Sequence, residues 1–346
     1  MGYSESTNIV QRALSEIEAF VEKAGDYSQL HRIDEVNVDG KQLPIYAVTM
    51  GNRDPQAPVF AMFGGVHGVE RIGSEVVLAY MHTLIEGMSW MPMMKSVLQD
   101  IRLVFMPLVN PGGVYSRNRC NPNGVDLMRN APIDAEADVP FLLGGQRLSR
   151  MLPWYRGVAG GEMEVEARAL IHVVERYLFP SRFSLSLDCH SGYGHVDHVW
   201  FPYAYSRKPF RYAAEVSYLA DLFHTTYPNH TYYKIEPQSF HYMTHGDLWD
   251  WLSLQYEQYT GVFLPMTLEM GSWLWIKKNP RQLFRFTNLF NPVLPHRHRR
   301  ILRRHLTLFN FLLQVVHASK NWSHSDELRA SWRAQAEQRW YAKCDG

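Results

Sequence analysis

Short, wholly apolar runs along the chain are separated by longer stretches in which apolar residues recur every three or four positions. That alternation predicts an α/β protein. Val59, Phe60, Ala61, Met62 and Phe63 form one such run and are followed by Gly64 and Gly65. It reads as a buried strand ending in a tight turn, and Val76, Val77, Tyr80 and Leu84 predict a helix starting near Ile72. Phe183 to Leu187, with Ser184 and Ser186 interleaved, predicts a second strand. RIDEVNV, LPIYAVTM and TLEMG are strand-like, and Glu164 to Tyr177 is helix-like. At the two ends, Ile9, Leu14, Ile17 and Phe20 draw the stripe of an amphipathic helix, and Leu306, Phe309, Leu312 and Leu313 the buried face of another.

Composition narrows the picture only slightly. With 346 residues and no strong linker, one large domain is expected: residues 1–30 as an N-terminal helix, 31–318 as the main domain and 319–346 as a polar C-terminal tail. Lys and Arg (35) balance Asp and Glu (34), so the basic run HRHRRILRRH, with His296 and His298, reads as a solvated helix start; no nucleic-acid partner is expected. The amino terminus lacks the basic start and apolar core of a secretory signal, and no window is long and apolar enough for a membrane span. A cytoplasmic location is the expectation. Cys120, Cys189 and Cys344 give an odd count without zinc-ribbon spacing, so no disulfide framework is expected.

The chemistry lies in HGVE (His67 to Glu70), RCNPNGVDLMRN (Arg119 to Asn130), DCHSG (Asp188 to Gly192) and TLEMG (Thr267 to Gly271). Two imidazoles and one carboxylate are a standard ligand set for a catalytic zinc that keeps a further position for water. His67, Glu70 and His190 supply that set, each just after an apolar run, where open α/β sheets place their ligand crevices. His195 and His198 are the competing ligands or the holders of a second metal. Gly192 and Gly194 argue for a loop that carries His195 away, so one Zn2+ ion is expected.

These strings resemble the carboxypeptidase A-like zinc carboxypeptidase family over roughly Ile33 to Gly271. The resemblance implies a three-layer α/β domain with a mixed, mostly parallel twisted sheet flanked by helices, and a helical C-terminal extension. It implies that His67, Glu70 and His190 bind zinc, that Glu269 is the general base and that Arg119 polarises the scissile carbonyl. Arg129 would bind the substrate's terminal carboxylate, and Asp126 would orient His67. In YMTHGDLWDW, Tyr242 matches the family's mobile tyrosine, and Trp249 falls where relatives line the pocket for the C-terminal side chain. Nothing near the start resembles a propeptide, so an enzyme made in active form is expected.

Two departures stand out. Met128 occupies the place of an asparagine in the family's string before Arg129, and methionine donates no hydrogen bond. Losing one bond to a charged group costs about 1.5 to 3 kcal/mol, which weakens carboxylate recognition without touching the metal chemistry. Val69 stands between His67 and Glu70 where digestive members carry arginine. Three functions follow: a metallocarboxypeptidase acting on a peptide, an N-acyl amino acid amidohydrolase of the desuccinylase and aspartoacylase type, and a non-catalytic peptide-binding protein. Residues 131–182 are expected to shape one wall of the cleft, with Asp134, Glu136 and Asp138 in a solvated loop.

Overall fold

The computed structural model describes residues 2–321 and 326–342, so Cys344 lies outside the described residues. Eight strands form one sheet: β1 (Ser28–Val38), β2 (Lys41–Gly51), β3 (Val59–Gly64), β4 (Arg102–Met106), β5 (Phe183–Ser191), β6 (Asp197–Phe201), β7 (Tyr233–Pro237) and β8 (Val262–Met270). Their order is β1-β2-β4-β3-β5-β8-β6-β7. The central strands β4, β3, β5 and β8 are parallel, while β1, β2 and β6 join by antiparallel pairings and β7 is parallel to β6. Every residue of β3, β4 and β5 is buried, as expected for parallel strands covered on both faces.

Helices α1 (Gly2–Ala24), α2 (Arg71–Met88), α3 (Pro92–Asp100), α4 (Pro111–Ser116), α5 (Val165–Tyr177), α6 (Ala213–Thr226), α7 (Leu248–Gln255), α8 (Trp273–Lys278), α9 (Pro295–Arg304), α10 (Leu306–Ala318) and α11 (Asp326–Ala336) surround the sheet. α2 and α10 lie on β3 and β5, α5 on β1 and β2, and α7 on β8. The N-terminal stripe works as its spacing predicts: Leu14, Ile17 and Phe20 are buried, and α1 packs on α2 and α4. The mixed, mostly parallel sheet with flanking helices and C-terminal helices matches the fold class expected from the sequence.

Two elements differ from expectation. β5 runs on past Leu187 to Ser191, so Asp188 and His190 lie inside the strand rather than after it. Burying them there is tolerable because both side chains are hydrogen-bonded. In the C-terminal segment expected to be a polar tail, α11 instead docks on α6: Trp332 stacks on Tyr218 at 4.0 Å, and Arg329 pairs with Glu215 at 2.8 Å. Trp340 is buried against Phe201, its indole N–H donating to the Ile235 carbonyl. Sparse aromatics spaced along one side of an otherwise polar helix are enough to anchor it.

Candidate metal centre and cleft

The parallel strands β3, β5 and β8 deliver His67, His190 and Glu269 to one edge of the sheet. Past the end of β3 the chain turns at Gly65, whose φ of 67° favours glycine, and a side chain on Gly64 would sit 2.8 Å from the Gly73 carbonyl. This close approach presses the loop against the start of α2. Asn110 holds the loop by donating to the Val66 carbonyl (3.1 Å) while its oxygen accepts from Gly113 N (2.7 Å). Glu70 stands at the N-cap of α2 but makes no capping bond. Asn291 takes over, accepting from Ile72 N at 3.0 Å and donating to the Val69 carbonyl at 2.7 Å, which frees the Glu70 carboxylate for the cluster.

Three ligand atoms converge there. His67 Nδ1 lies 3.0 Å from Glu70 Oε1 and 3.2 Å from His190 Nδ1, which is 3.1 Å from Glu70 Oε2. Each imidazole has its far nitrogen on a carboxylate: His67 Nε2 on Asp126 Oδ1 at 3.0 Å, and His190 Nε2 on Asp188 Oδ2 at 2.7 Å. With the Nε2 protons donated to those carboxylates, two Nδ1 lone pairs and a carboxylate face one another, an arrangement that a cation relieves. Zinc–nitrogen bonds of about 2.0–2.1 Å in a tetrahedron put ligand atoms about 3.4 Å apart, close to the observed spacing. The donor set and its outer carboxylates therefore fit zinc.

Arg119 braces the same frame. Its Nε donates to Asp126 Oδ2 and its Nη1 to Glu70 Oε1, each at 2.9 Å. Burial alone would raise the Glu70 pKa, but His67 and His190 hold it well below the usual carboxylate range. Glu269, the register partner of His190 on β8, sits beside this group with Oε1 accepting from Tyr193 N at 2.9 Å. Burial and the nearby Glu70 charge push its carboxyl up to about 8, so it holds or releases a proton near neutral pH.

A cleft of about 710 Å³ opens over these residues and extends to Arg129, Tyr242 and Asp247. Arg129 is buried, with Nε on the Leu143 carbonyl and Nη1 on the Met128 carbonyl. Gly246, at φ 72°, passes so close to Arg129 that a side chain there would lie 2.0 Å from the Arg129 carbonyl. Burial pushes the Tyr242 phenol up to about 12, against the pull of Arg129 and Arg119, so it stays protonated. Met128 lines the cleft beside Arg129, as do Met151, Leu152 and Trp154 from the 131–182 excursion. Of that excursion's acidic residues, Asp134 bonds Arg156, and Glu136 bonds Ser206 and Lys208.

Trp249 stands behind the cleft rather than in its main wall. Its buried indole donates to Asp188 Oδ2 at 2.9 Å and packs edge-on against Phe63, and the residue lines a small pocket that shares Trp200, Gln238, Asp247 and Thr267 with the cleft. Tyr242 and Asp247 of that segment line the main cleft; Asp247 caps α7, and the first turn carries position 249 inward to the small pocket behind it. Asp188 had no assigned role in the sequence, yet it sits two residues before His190 on one strand, and the two-residue period puts both on one face. Tyr193 was likewise missed; its functional group here is the backbone N–H, which no side-chain pattern reveals. His195 packs on Trp273 and His198 bonds Glu236, so neither joins His67, Glu70 and His190. Within the basic run, His298 pairs with Glu75 and Arg304 with Asp197.

Comparison with known proteins follows the same line. Carboxypeptidase SOL1 of Arabidopsis thaliana is 29% identical over 116 residues, 33% of this chain and 23% of that protein. The carboxypeptidase N catalytic chain of Homo sapiens is 29% identical over 175 residues, 45% of this chain and 36% of that protein. The match thus spans about a quarter to a third of the length of these relatives. Among solved structures, thrombin activatable fibrinolysis inhibitor aligns with a TM-score of 0.65 at 19% identity, covering 90% of this chain and 73% of that one. Carboxypeptidase A from Helicoverpa armigera aligns at 0.66 and 14% identity, covering 87% and 71%. At such identities these two structures speak for the fold. No helix among the described residues is long and apolar enough to cross a membrane. The zinc carboxypeptidase family model matches residues 17–272, a span that contains all three cluster residues, Arg119, Arg129, Tyr242 and Glu269, and the chain belongs to that family.

Proposed function

We propose that the protein is a metallocarboxypeptidase that hydrolyses the last amide bond of a peptide. The carrying observation is that one cleft is lined by the His67–Glu70–His190 cluster, by Glu269 beside it and by the buried Arg129. When bound by His67, Glu70 and His190, a zinc ion would supply Lewis-acid polarisation of the carbonyl and a water acidic enough to deprotonate near neutral pH. Glu269 accepts a proton from the attacking water and later delivers it to the leaving amine. Its orientation is fixed by the Tyr193 amide. The Arg119 guanidinium, held by Asp126 and Glu70, lines the cleft and places fixed positive charge where negative charge develops on the carbonyl oxygen.

Arg129 grips the substrate's terminal carboxylate, and the neutral Tyr242 phenol beside it donates a further hydrogen bond. Asp126 and Asp188 orient the two imidazoles, and Trp249 steadies Asp188. A specific observation favours a second reading, hydrolysis of an N-acyl amino acid: Met128 gives the carboxylate end of the cleft one donor fewer. The metal-loaded protein is to be offered short peptides with free and amidated C-termini together with N-acyl amino acids, and the products read by mass spectrometry. Loss of a single terminal residue from free-acid peptides alone is the expected result. Cleavage confined to N-acyl amino acids, or indifferent to amidation, removes the carboxypeptidase reading.

A further inference from the structure

A second group of metal-ligating side chains stands beside the cleft and takes no part in the reaction above. His198 Nδ1 and His241 Nε2 each lie 2.9 Å from the same oxygen of Glu236. The two rings are 4.7 Å apart at 79°, and one donor atom from each of the three residues falls within 4.8 Å of the others. This is the donor set of the first cluster again, two imidazoles and a carboxylate.

Sheet register explains how it arises. His190, Glu269 and His198 are register partners across β5, β8 and β6, so their side chains leave the same face of the sheet. One step along, Trp200 pairs with Glu236 of β7, which brings that carboxylate onto the same face, and His241 follows from the turn after β7. Two strand spacings separate His198 from His190, about 10 Å. That is too far for two ions to bridge one water, which needs about 3.5–4 Å, so the two clusters are separate sites.

Other features suit an ion. The second nitrogen of His241 lies 3.2 Å from the Tyr193 hydroxyl, an outer partner of the kind that fixes metal-bound imidazoles. The His198 side chain is 4% exposed, but Glu236 (21%) and His241 (18%) reach solvent, leaving a route for exchange and room for water to complete the shell. Tyr193 and Trp200 shield the other side with their rings.

We propose that His198, Glu236 and His241 form a second, solvent-accessible site for a divalent transition metal, with zinc the best match to two imidazoles and a carboxylate. An ion there braces His241 and, through it, the Tyr193 loop whose amide holds Glu269. The proposal rests on sheet geometry and stands whether or not the protein cleaves peptides.

The test counts metal. The metal-free full chain is dialysed to equilibrium against increasing Zn2+, and in parallel Co2+, with bound metal measured by elemental analysis and the Co2+ sites by visible absorption. Two ions per chain are expected at saturation, falling to one in Glu236→Gln and in His241→Ala. Glu236→Gln keeps the volume and an acceptor for both rings, and circular dichroism verifies that it folds. His67→Ala is expected to retain one ion, lost when Glu236→Gln is added. A wild-type chain that saturates with one ion, or Glu236→Gln and His241→Ala variants that still hold two, overturns the proposal: His198, Glu236 and His241 are then a hydrogen-bond relay only.

Discussion

The two ends of the cleft are built by different means. At the metal end, His190 and Glu269 project from hydrogen-bonded neighbouring strands, and every ligand is backed by another group: Asp126, Asp188, Arg119 or the Ser191 amide, which donates to Glu70 at 3.0 Å. At the carboxylate end, Arg129, Tyr242 and Asp247 come from loops and helix starts. There Asp247 Oδ2 is buried without a partner among the described residues, as is Asp188 Oδ1 at the metal end. A strand ladder fixes a side chain to a fraction of an ångström before any ligand arrives, whereas loops and helix starts hold theirs with more freedom to adapt. Under the proposed function, the rigid end would carry the chemistry and the adaptable one the selectivity.

Changing Glu269 tests that assignment most severely. Glu269→Gln is expected to lower kcat by about a hundredfold to ten-thousandfold, the usual contribution of a general base, while metal content by elemental analysis stays at the wild-type value. Retained turnover in a metal-replete variant would sink the assignment. The same variant has a pH signature in the metal-free protein. Because the folded pKa of Glu269 is raised to about 8 from 4.5, its contribution to stability is fully present below pH 4.5 and is lost as pH rises through 8. Thermal melts of the wild type should fall over that window more steeply than those of Glu269→Gln.

Asp126→Asn probes the outer support of the rigid end. Removing the charge that orients His67 and pairs with Arg119 is expected to weaken metal retention about tenfold to a hundredfold, read by competition with a chelator. An unchanged metal affinity would mean that the ligand loop, held by Asn110 and Asn291, positions His67 unaided.

Met128→Asn addresses the adaptable end. It restores an amide donor beside Arg129, and one added bond to a carboxylate is expected to raise the preference for free-acid over amidated peptides about tenfold, through KM rather than kcat. Equal gains on both substrate forms would show that the new amide contacts something other than the terminal carboxylate.

How much of this could be read in advance follows the same division. The meeting of His67, Glu70 and His190 was legible because apolar runs announce buried strands, and strand ends in an open α/β sheet are where ligands gather. That Glu269 and Asp126 stand beside them was expected only through the family resemblance. The hydrogen bond from Trp249 to Asp188 was not legible, because proximity in sequence to Tyr242 says nothing about which way the first turn of α7 faces; that depends on Asp247 capping it. Asn291, which frees Glu70 from its capping duty, lies 221 residues away, and no local pattern links them. The Glu236 cluster escaped for a related reason: His198 and Glu236 meet only through β6 and β7 pairing.

Trp249→Phe is the smallest change and separates two roles for one residue. Phenylalanine keeps the aromatic packing on Phe63 but removes the indole N–H that Asp188 accepts. Asp188 still holds His190, so only one hydrogen bond is lost, about 1 kcal/mol or roughly a fivefold weaker hold on the metal. If Trp249 instead formed the wall of the pocket for the substrate's terminal side chain, the variant would shift the preferred end residue and leave metal retention alone. Measuring both quantities on one protein preparation decides between them. A change in metal retention without a change in end-residue preference ties Trp249 to the rigid end of the cleft, although it belongs by sequence to the segment that supplies the adaptable one.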